Sequence, residues 1–241
     1  MEILNILSRS CSNPDKYRIP TIAFLGDSVT QGCFECFINE KGQMATEFDS
    51  QNAYHHYLED ILGYLFKETP VSIINAGISG TTARRSVERL DRDVLYHHPD
   101  LTIVCFGLND CLQGEQGLNP YADSLRKIFT QLKESGSEVI FMTPNMMATR
   151  VSYKLKDQGL INAAKQCIDA QNNGVLDMYL ERGKQVAREC SVPVCDVYDK
   201  WKKMYAHGCS VTNYLVNSIN HPSKEMHWLF AYSLLDTMIN N

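Results

Sequence analysis

Five short apolar runs in the chain have the composition of buried β-strands. Each run is rich in β-branched residues and is bounded by Gly, Pro or Asp, as in strands that helices cover on both faces of a parallel sheet. The predicted strands are residues 19–25, 71–75, 101–106, 139–143 and 192–197.

Longer stretches with a helical period separate these runs. Their apolar residues recur at spacings of three and four, which predicts one buried face on each helix. The predicted helices are residues 52–67, 83–96, 119–135, 158–190 and 224–239. Strands that alternate with helices indicate an α/β fold, in which a parallel sheet lies between two layers of helices in a three-layer α/β/α arrangement.

One stretch, residues 144–158, has no clear period, and we expect a lid or a loop on the substrate side there. No repeat, low-complexity tract or linker divides the rest of the chain. Because 241 residues suffice for one sizeable core, residues 1–241 are predicted to form a single domain.

The charge of the chain argues against polyanionic partners. With 23 basic and 28 acidic residues, its formal net charge is −5, which offers no electrostatic surface for phosphate backbones or anionic lipids. We therefore expect no nucleic-acid partner and no stable membrane association.

The amino-terminal residues and the cysteines predict a cytoplasmic protein. The first ten residues lack the basic head and the continuous apolar run of a signal peptide. Nine cysteines are present, and Cys105 and Cys195 lie in apolar runs where a thiol behaves as a small hydrophobe. Such usage fits a reducing compartment.

Polar residues follow three of the predicted strands, and ligands of such sheets bind beyond the carboxyl ends of the strands. The first strand runs into Gly-Asp-Ser-Val-Thr at 26–30 and the second into Asn-Ala-Gly-Ile-Ser-Gly at 75–80. The third runs into Gly-Leu-Asn-Asp at 107–110, and Asn-His-Pro at 220–222 precedes the last helix. These four segments are the candidates for the chemistry of the protein.

In this order, the four segments resemble the sequence blocks of the SGNH or GDSL hydrolase family, over residues 20–235. The resemblance implies the flavodoxin-like, five-stranded parallel sheet of that family. It also implies one site residue from each block, namely Ser28, Gly80, Asn109 and His221.

The family implies a role for each of these residues. Ser28 would be the nucleophile and His221 its general base, since a serine hydroxyl is a poor nucleophile at neutral pH. The main-chain N–H groups of Ser28 and Gly80 and the side-chain amide of Asn109 would stabilise the oxyanion that forms during attack. Gly77 is the weaker alternative to Gly80.

The chain departs from the family pattern at the aspartate that usually stands three residues before the histidine. That position is Ser218, and residues 217–221 contain no carboxylate. Ser218 or Asn217 could orient the imidazole as a neutral partner, or a main-chain carbonyl could do so. Asp196 or Asp199 could also fold over it. We favour a neutral or main-chain partner, which predicts a slow enzyme or a Ser–His dyad.

Other residues have a structural and a functional interpretation. Asp27 is a turn residue or a supporting hydrogen-bond partner, and both interpretations remain open. The histidine pairs at 55–56 and 97–98 are expected on the surface, because adjacent helical side chains diverge and do not chelate one ion. His227 is expected to be a packing residue rather than a base.

The cysteines and methionines near the candidate segments are read in the same way. Cys33 and Cys36 have the spacing of a redox pair or half a zinc site, but without a second matching pair we expect two loop thiols. Met146, Met147 and Tyr153 either line a hydrophobic substrate pocket or, for the methionines, fill gaps in the core.

The predicted function is that of a serine esterase or acylhydrolase that cleaves short-chain, acetyl esters through an acyl-enzyme, with carbohydrate deacetylation as the favoured case. The substrate would be a small-molecule ester, with no metal and no other cofactor. The absence of a long apolar lid or an amphipathic anchor favours short acyl chains. The alternatives are a lysophospholipase-like or thioesterase-like acylhydrolase, or a ligand-binding module on the same fold that has lost turnover. The oligomeric state stays open.

Overall fold

The computed structural model describes residues 1–67 and 69–241. In chain order its helices and strands are α1 (Glu2–Ser12), β1 (Thr21–Gly26), α2 (Ser28–Gln31), β2 (Cys33–Ile38), β3 (Met44–Phe48), α3 (Tyr54–Leu65), β4 (Ser72–Gly77), α4 (Ala83–Val87), α5 (Leu90–Asp93), β5 (Leu101–Cys105), α6 (Leu118–Glu134), β6 (Glu138–Met142), α7 (Gln158–Asn172), α8 (Val175–Glu189), β7 (Val194–Cys195), α9 (Val197–Ala206) and α10 (Lys224–Asn240).

The main sheet has the strand order β4-β1-β5-β6-β7, and all neighbouring strands run parallel. Helix α3 packs on α10, while α6 packs on α4 and α8. The predicted α/β fold with a five-stranded parallel sheet is therefore confirmed. Because β1 pairs with both β4 and β5, the carboxyl ends of these three strands lie side by side. This edge carries the segments that the sequence singled out.

The predicted helix over residues 158–190 is two helices. The break lies at Gly174, whose φ of +74° is in the left-handed region that a right-handed helix cannot continue through. The apolar period continues across the break, since both α7 and α8 bury one face. The period alone therefore predicted one helix where a glycine divides two.

The predicted helix over residues 83–96 is also interrupted, and forms α4, α5 and a short 3₁₀ turn. At the first break Arg89 is turned inward and is 8% exposed. Its guanidinium donates to the main-chain oxygens of Ala76 at 2.7 Å and of Gly26 at 3.2 Å. The break thus ties this segment to the ends of β4 and β1.

Four parts of the structure have no counterpart in the prediction: α1, α2, α9 and the antiparallel hairpin of β2 and β3. The hairpin is largely exposed, so it lacks the buried alternation that reveals a strand. Helix α1 depends on a distant partner, because the carboxylate of Glu138 accepts from the N–H groups of Glu2 and Ile3 at 3.0 and 2.7 Å. Such a contact lies outside any local pattern.

Of the two expectations for residues 144–158, a lid or a loop on the substrate side, the lid is wrong for residues 144–148. Residues 144–148 are buried, and the N–H of Ala148 donates to the oxygen of Ile219 at 2.8 Å. Met146 and Met147 are 3% and 0% exposed and belong to the core. Residues 144–148 are therefore a buried support for the segment that carries His221.

Among residues 1–67 and 69–241, no helix combines the length and the apolar character needed to cross a bilayer.

Candidate active site

Ser28 and His221 come together at the carboxyl edge of the sheet. The Oγ of Ser28 lies 3.0 Å from the Nε2 of His221, and the two residues are 4% and 5% exposed. Ser28 is the first residue of α2, and Asp27 caps that helix by accepting from the N–H of Val29 at 3.0 Å. The tight turn from β1 into α2 therefore fixes the position of the hydroxyl.

The other ring nitrogen of His221 binds a main-chain atom. Its Nδ1 lies 2.8 Å from the oxygen of Phe34, on β2 of the hairpin. A carbonyl oxygen only accepts, so Nδ1 carries the proton and Nε2 presents its lone pair to Ser28. Burial lowers the pKa of His221 to about 4, and the hydrogen bond to Phe34 opposes that shift. The imidazole is therefore neutral at ordinary pH.

Asn217 organises the loop that carries His221. Its Oδ1 accepts from the main-chain N–H groups of Ile219, Asn220 and His221, at 3.0, 3.0 and 2.9 Å. The Oδ1 therefore holds a turn in place rather than the imidazole ring. The N–H of its neighbour Ser218, at φ +58°, donates to the oxygen of Leu215 at 2.9 Å.

The hydrogen bonds of the imidazole within the described residues do not include Ser218 or an aspartate. Asp196 accepts from Thr143 at 2.9 Å and from Lys184 at 2.8 Å, and Asp199 pairs with Lys203 at 2.6 Å. Both carboxylates are thus engaged around α9. Of the replacements left open by the sequence, the geometry matches the main-chain carbonyl.

Cys36 touches the same assembly. Its Sγ lies 3.8 Å from Nδ1 of His221 and accepts from Nδ2 of Asn217 at 3.5 Å. The contact to the ring is long beside the 2.8 Å bond to the oxygen of Phe34. The thiol is half-buried, whereas Cys33 is buried, and burial raises the pKa of its thiol to about 12.

The two glycines of the second block differ. The N–H of Gly77 donates to Oδ1 of Asn75 at 3.0 Å, and a Cβ on Gly77 would lie 2.3 Å from the main-chain nitrogen of Gln31. Gly80 has a φ of +71° and open space around its Cβ position. Among the described residues its N–H has no hydrogen-bond partner. Gly77 thus packs against α2, and Gly80 presents a free donor.

Asn109 follows β5 and points its amide toward the turn that carries Ser28. Its Nδ2 donates to the oxygen of Thr81 at 3.0 Å and to Oδ2 of Asp27 at 3.3 Å. Asp27 therefore has the hydrogen-bond role that the sequence left open, in addition to its place in the turn.

Two buried carboxyl groups, those of Asp27 and Asp110, lie close to Asn109. Burial raises the pKa of Asp27 to about 7, and the nearby Asp110 adds to that shift. Burial likewise raises the pKa of Asp110 to about 7. The carboxylate of Asp110 accepts from the N–H groups of Ala83 and Gly107, at 2.9 and 3.2 Å. Asp110 thus fixes the loop that carries Asn109.

The remaining histidines lie apart from this constellation. His97 and His98 are exposed as expected, and His56 pairs with Glu59 at 2.9 Å. His55 is 1% exposed, so the prediction of a surface residue is wrong there. His227 is fully buried and accepts from the N–H of Tyr54 at 3.0 Å, in agreement with a packing residue.

Two supports of the site were missed. The carbonyl of Phe34 has no sequence signal, since every residue carries one. Asn145 donates to the oxygen of Asn220 at 2.9 Å, directly before the histidine. It stands shortly after β6, where a polar residue at a strand end was the available signal.

Tyr153, which the sequence offered as a lining residue of a substrate pocket, is 77% exposed. Within the described ranges, no group of three His, Cys, Asp or Glu residues could hold a metal ion.

Comparisons with known proteins show which family the chain resembles over most of its length. A model of the GDSL-like lipase/acylhydrolase family matches residues 24–229. An acetylxylan esterase of Geobacillus stearothermophilus is 26% identical over 132 residues, 51% of this chain and 58% of the relative. An arylesterase of Vibrio mimicus is 35% identical over 144 residues, 59% of this chain and 63% of the relative. The chain thus matches about six tenths of each curated relative's length.

Solved structures share the fold. The acetylxylan esterase Axe2 of G. stearothermophilus superposes with a TM-score of 0.66 at 21% identity, over 91% of this chain and 94% of Axe2. A putative GDSL-like lipase of Parabacteroides merdae gives a TM-score of 0.69 at 19% identity, over 93% and 97% of the two chains. Since the family model covers most of the residues and the fold is the same, the chain belongs to the GDSL-like lipase/acylhydrolase family.

Proposed function

We propose that this protein is a serine esterase that removes short acyl groups, above all acetyl, with Ser28 as nucleophile and His221 as general base. The observation that carries the proposal is the 3.0 Å contact between the Oγ of Ser28 and an Nε2 whose lone pair is free to accept. The bond from Nδ1 to Phe34 supports that tautomer. A neutral imidazole in this position has the geometry of a general base.

The reaction proceeds in two steps. Ser28 attacks the ester carbonyl carbon while its proton passes to Nε2 of His221, and the carbonyl electron pair moves onto oxygen. When this tetrahedral intermediate collapses, the alkoxide leaves and takes the proton from Nε2. Water then attacks the acyl-enzyme with the same base, and the acid and the free serine are released.

Three donors would stabilise the oxyanion in both steps. The role of the Gly80 N–H as a donor is supported by two observations: it has no hydrogen-bond partner among the described residues, and the space beside it is open. The N–H of Ser28 lies at the start of α2, where no helical acceptor is available. The amide of Asn109 completes the set. In other hydrolases the loss of one such donor costs about 3 kcal/mol of transition-state stabilisation.

The main-chain partner of His221 has a consequence for rate. The Phe34 oxygen orients the ring as an aspartate would, but it carries no net charge to stabilise the imidazolium that forms during attack. The site therefore works as a Ser–His dyad with a positioned tautomer. We expect slower turnover than in relatives that have the carboxylate.

The proposed substrate is an acetyl ester of a carbohydrate. The relatives named as acetylxylan esterases support an acetyl group over the long chains of lysophospholipids, and the relative named as an arylesterase supports an ester substrate. The net charge of −5 supports a small substrate rather than a polyanion. We also propose that residues 1–241 act as one domain, since a single apolar cluster extends from Ile3 to Met238. Nine free thiols support a reducing, cytoplasmic compartment.

The test is the reactivity of Ser28. We expect a fluorophosphonate probe to label the wild-type protein, and p-nitrophenyl acetate to give a burst of p-nitrophenol. Ser28→Ala should lose both responses and keep the thermal unfolding curve of the wild type. If the wild type failed to react in both assays, the alternative of a ligand-binding module that has lost turnover would replace this proposal. For a wild type that reacts, the rates on esters from acetyl to dodecanoyl, measured beside acetylated xylooligosaccharides, would define the substrate.

A further inference from the structure

The carboxylate of Asp27 links the nucleophile turn to the oxyanion donor. Its Oδ1 accepts from the N–H of Val29, at the start of α2, and its Oδ2 accepts from Nδ2 of Asn109. Asp27 is 2% exposed, so water does not readily replace either of these hydrogen bonds. One buried side chain thus connects the turn after β1 with the loop after β5.

The amide of Asn109 is fixed by two acceptors. An amide nitrogen has two hydrogens, and here one faces the oxygen of Thr81 and the other faces Asp27. Two acceptors on one side favour the orientation in which the nitrogen, and not the amide oxygen, faces the nucleophile turn. An oxyanion needs that orientation, because an amide oxygen in its place would repel the developing charge.

The two hydrogen bonds of this amide differ in length. The bond to Thr81 is 3.0 Å, and the bond to Asp27 is 3.3 Å, beyond the usual optimum for N–H donors. The second hydrogen is therefore the one available to a stronger acceptor. A neutral ester carbonyl is a weak competitor for it, whereas the oxyanion of the tetrahedral intermediate is a strong one.

We propose that Asp27 is a positioning residue that keeps the amide nitrogen of Asn109 turned toward the oxyanion of the substrate. The proposal rests on the esterase function proposed above and assigns Asp27 a task beyond capping α2. Asp27 touches no reacting atom; it acts through Asn109. Its effect therefore falls on kcat more than on KM, because the bond to the oxyanion exists only in the transition state.

The variant Asp27→Asn separates this task from capping. Asparagine is as good a helix cap as aspartate, and its Oδ1 can still accept from Val29. The group that then faces Asn109 is an NH₂, and two donors in contact disfavour the present orientation of the Asn109 amide. Asp27→Ser serves as a second variant, since serine also caps helices but is too short to reach Asn109.

A double-mutant cycle with Asn109→Ala tests the proposal. We would measure kcat and KM for p-nitrophenyl acetate, and the rate of fluorophosphonate labelling, at about pH 8.5, where Asp27 is ionised. Asp27→Asn should lower kcat roughly 10- to 100-fold, with KM changed less than about threefold. In the Asn109→Ala background the same substitution should change kcat by less than about threefold.

Equal losses from Asp27→Asn in both backgrounds would overturn the proposal, because a purely structural cap acts without Asn109. Wild-type kcat in Asp27→Asn and Asp27→Ser would overturn it as well. Where Asn109→Ala turns over too slowly for kcat, the labelling rate supplies the same comparison. Failure of the esterase proposal would appear separately, as wild-type protein that neither reacts with the probe nor releases p-nitrophenol.

Discussion

The imidazole of His221 is held by the main-chain oxygen of Phe34, 2.8 Å from its Nδ1. Phe34 lies on the hairpin of β2 and β3, directly after α2, the helix that begins with Ser28. The segment that presents the proposed nucleophile therefore also orients its base. Two consequences follow for the chemistry: the tautomer is fixed, and no negative charge raises the basicity of the ring.

The first prediction concerns the acid limb of the reaction. Burial lowers the pKa of His221 to about 4, so the neutral, base-competent form persists well below the ordinary histidine value. The sign is clear: a lowered pKa moves the loss of activity to lower pH. We expect kcat/KM for 1-naphthyl acetate in Asp27→Asn, where residue 27 does not titrate, to stay level from about pH 8 down to about pH 5 and to fall below that. In the wild type, protonation of Asp27, whose pKa burial raises to about 7, lowers kcat/KM at higher pH as well.

Two measurements complete this prediction. Circular dichroism over the same range separates loss of the base from acid unfolding, and Ser28→Ala gives the uncatalysed background. A half-maximal rate of Asp27→Asn near pH 6.5, the ordinary value for histidine, would contradict the role of burial. It would indicate that the ring is solvated or that a carboxylate reaches it in solution.

The sequence predicted the fold and the candidate site better than the supports of the site. The strands were visible because burial on both faces forces continuous apolar runs, and the blocks were visible because Ser28 and Asn109 stand at strand ends. The partner of Nδ1 was left open, since a carbonyl is the same at every residue. Helix α1 was missed because a long-range contact stabilises it. The hairpin was missed because its strands are largely exposed to solvent.

The second prediction separates Cys36 from Asn217, which both contact the base segment. Cys36→Ala should keep kcat within about threefold of wild type, because the sulfur lies 3.8 Å from Nδ1 and the short bond goes to Phe34. Asn217→Ala should lower kcat at least about tenfold and the melting temperature as well, because three main-chain N–H groups lose their acceptor.

The measurement is kcat and thermal unfolding of both variants under one set of conditions. Asn220→Ala is the matched control, since this substitution removes only the side-chain hydrogen bond between Asn220 and Asn217, at 3.1 Å. A loss in Cys36→Ala as large as in Asn217→Ala would show that the sulfur, and not the carbonyl of Phe34, holds the ring.

The third prediction uses Gly77 and Gly80 as a matched pair. A Cβ on Gly77 would lie 2.3 Å from the main-chain nitrogen of Gln31, in α2, so Gly77→Ala must displace the helix that begins with Ser28. We expect its melting temperature and kcat to fall together. Gly80→Ala meets no neighbour within 4 Å, and its φ of +71° costs about 1 kcal/mol, so most of the stability should remain.

The two variants differ because Gly80 presents its N–H to open space. A methyl group beside that donor obstructs the approach of an ester to it, so Gly80→Ala should lower kcat roughly tenfold or more while the protein stays folded. Differential scanning calorimetry and p-nitrophenyl acetate kinetics on both variants make the comparison. If Gly80→Ala kept the wild-type kcat, the oxyanion would take its hydrogen bonds from Ser28 and Asn109 without this N–H. If Gly77→Ala kept the wild-type stability, the close packing of β4 on α2 would be refuted.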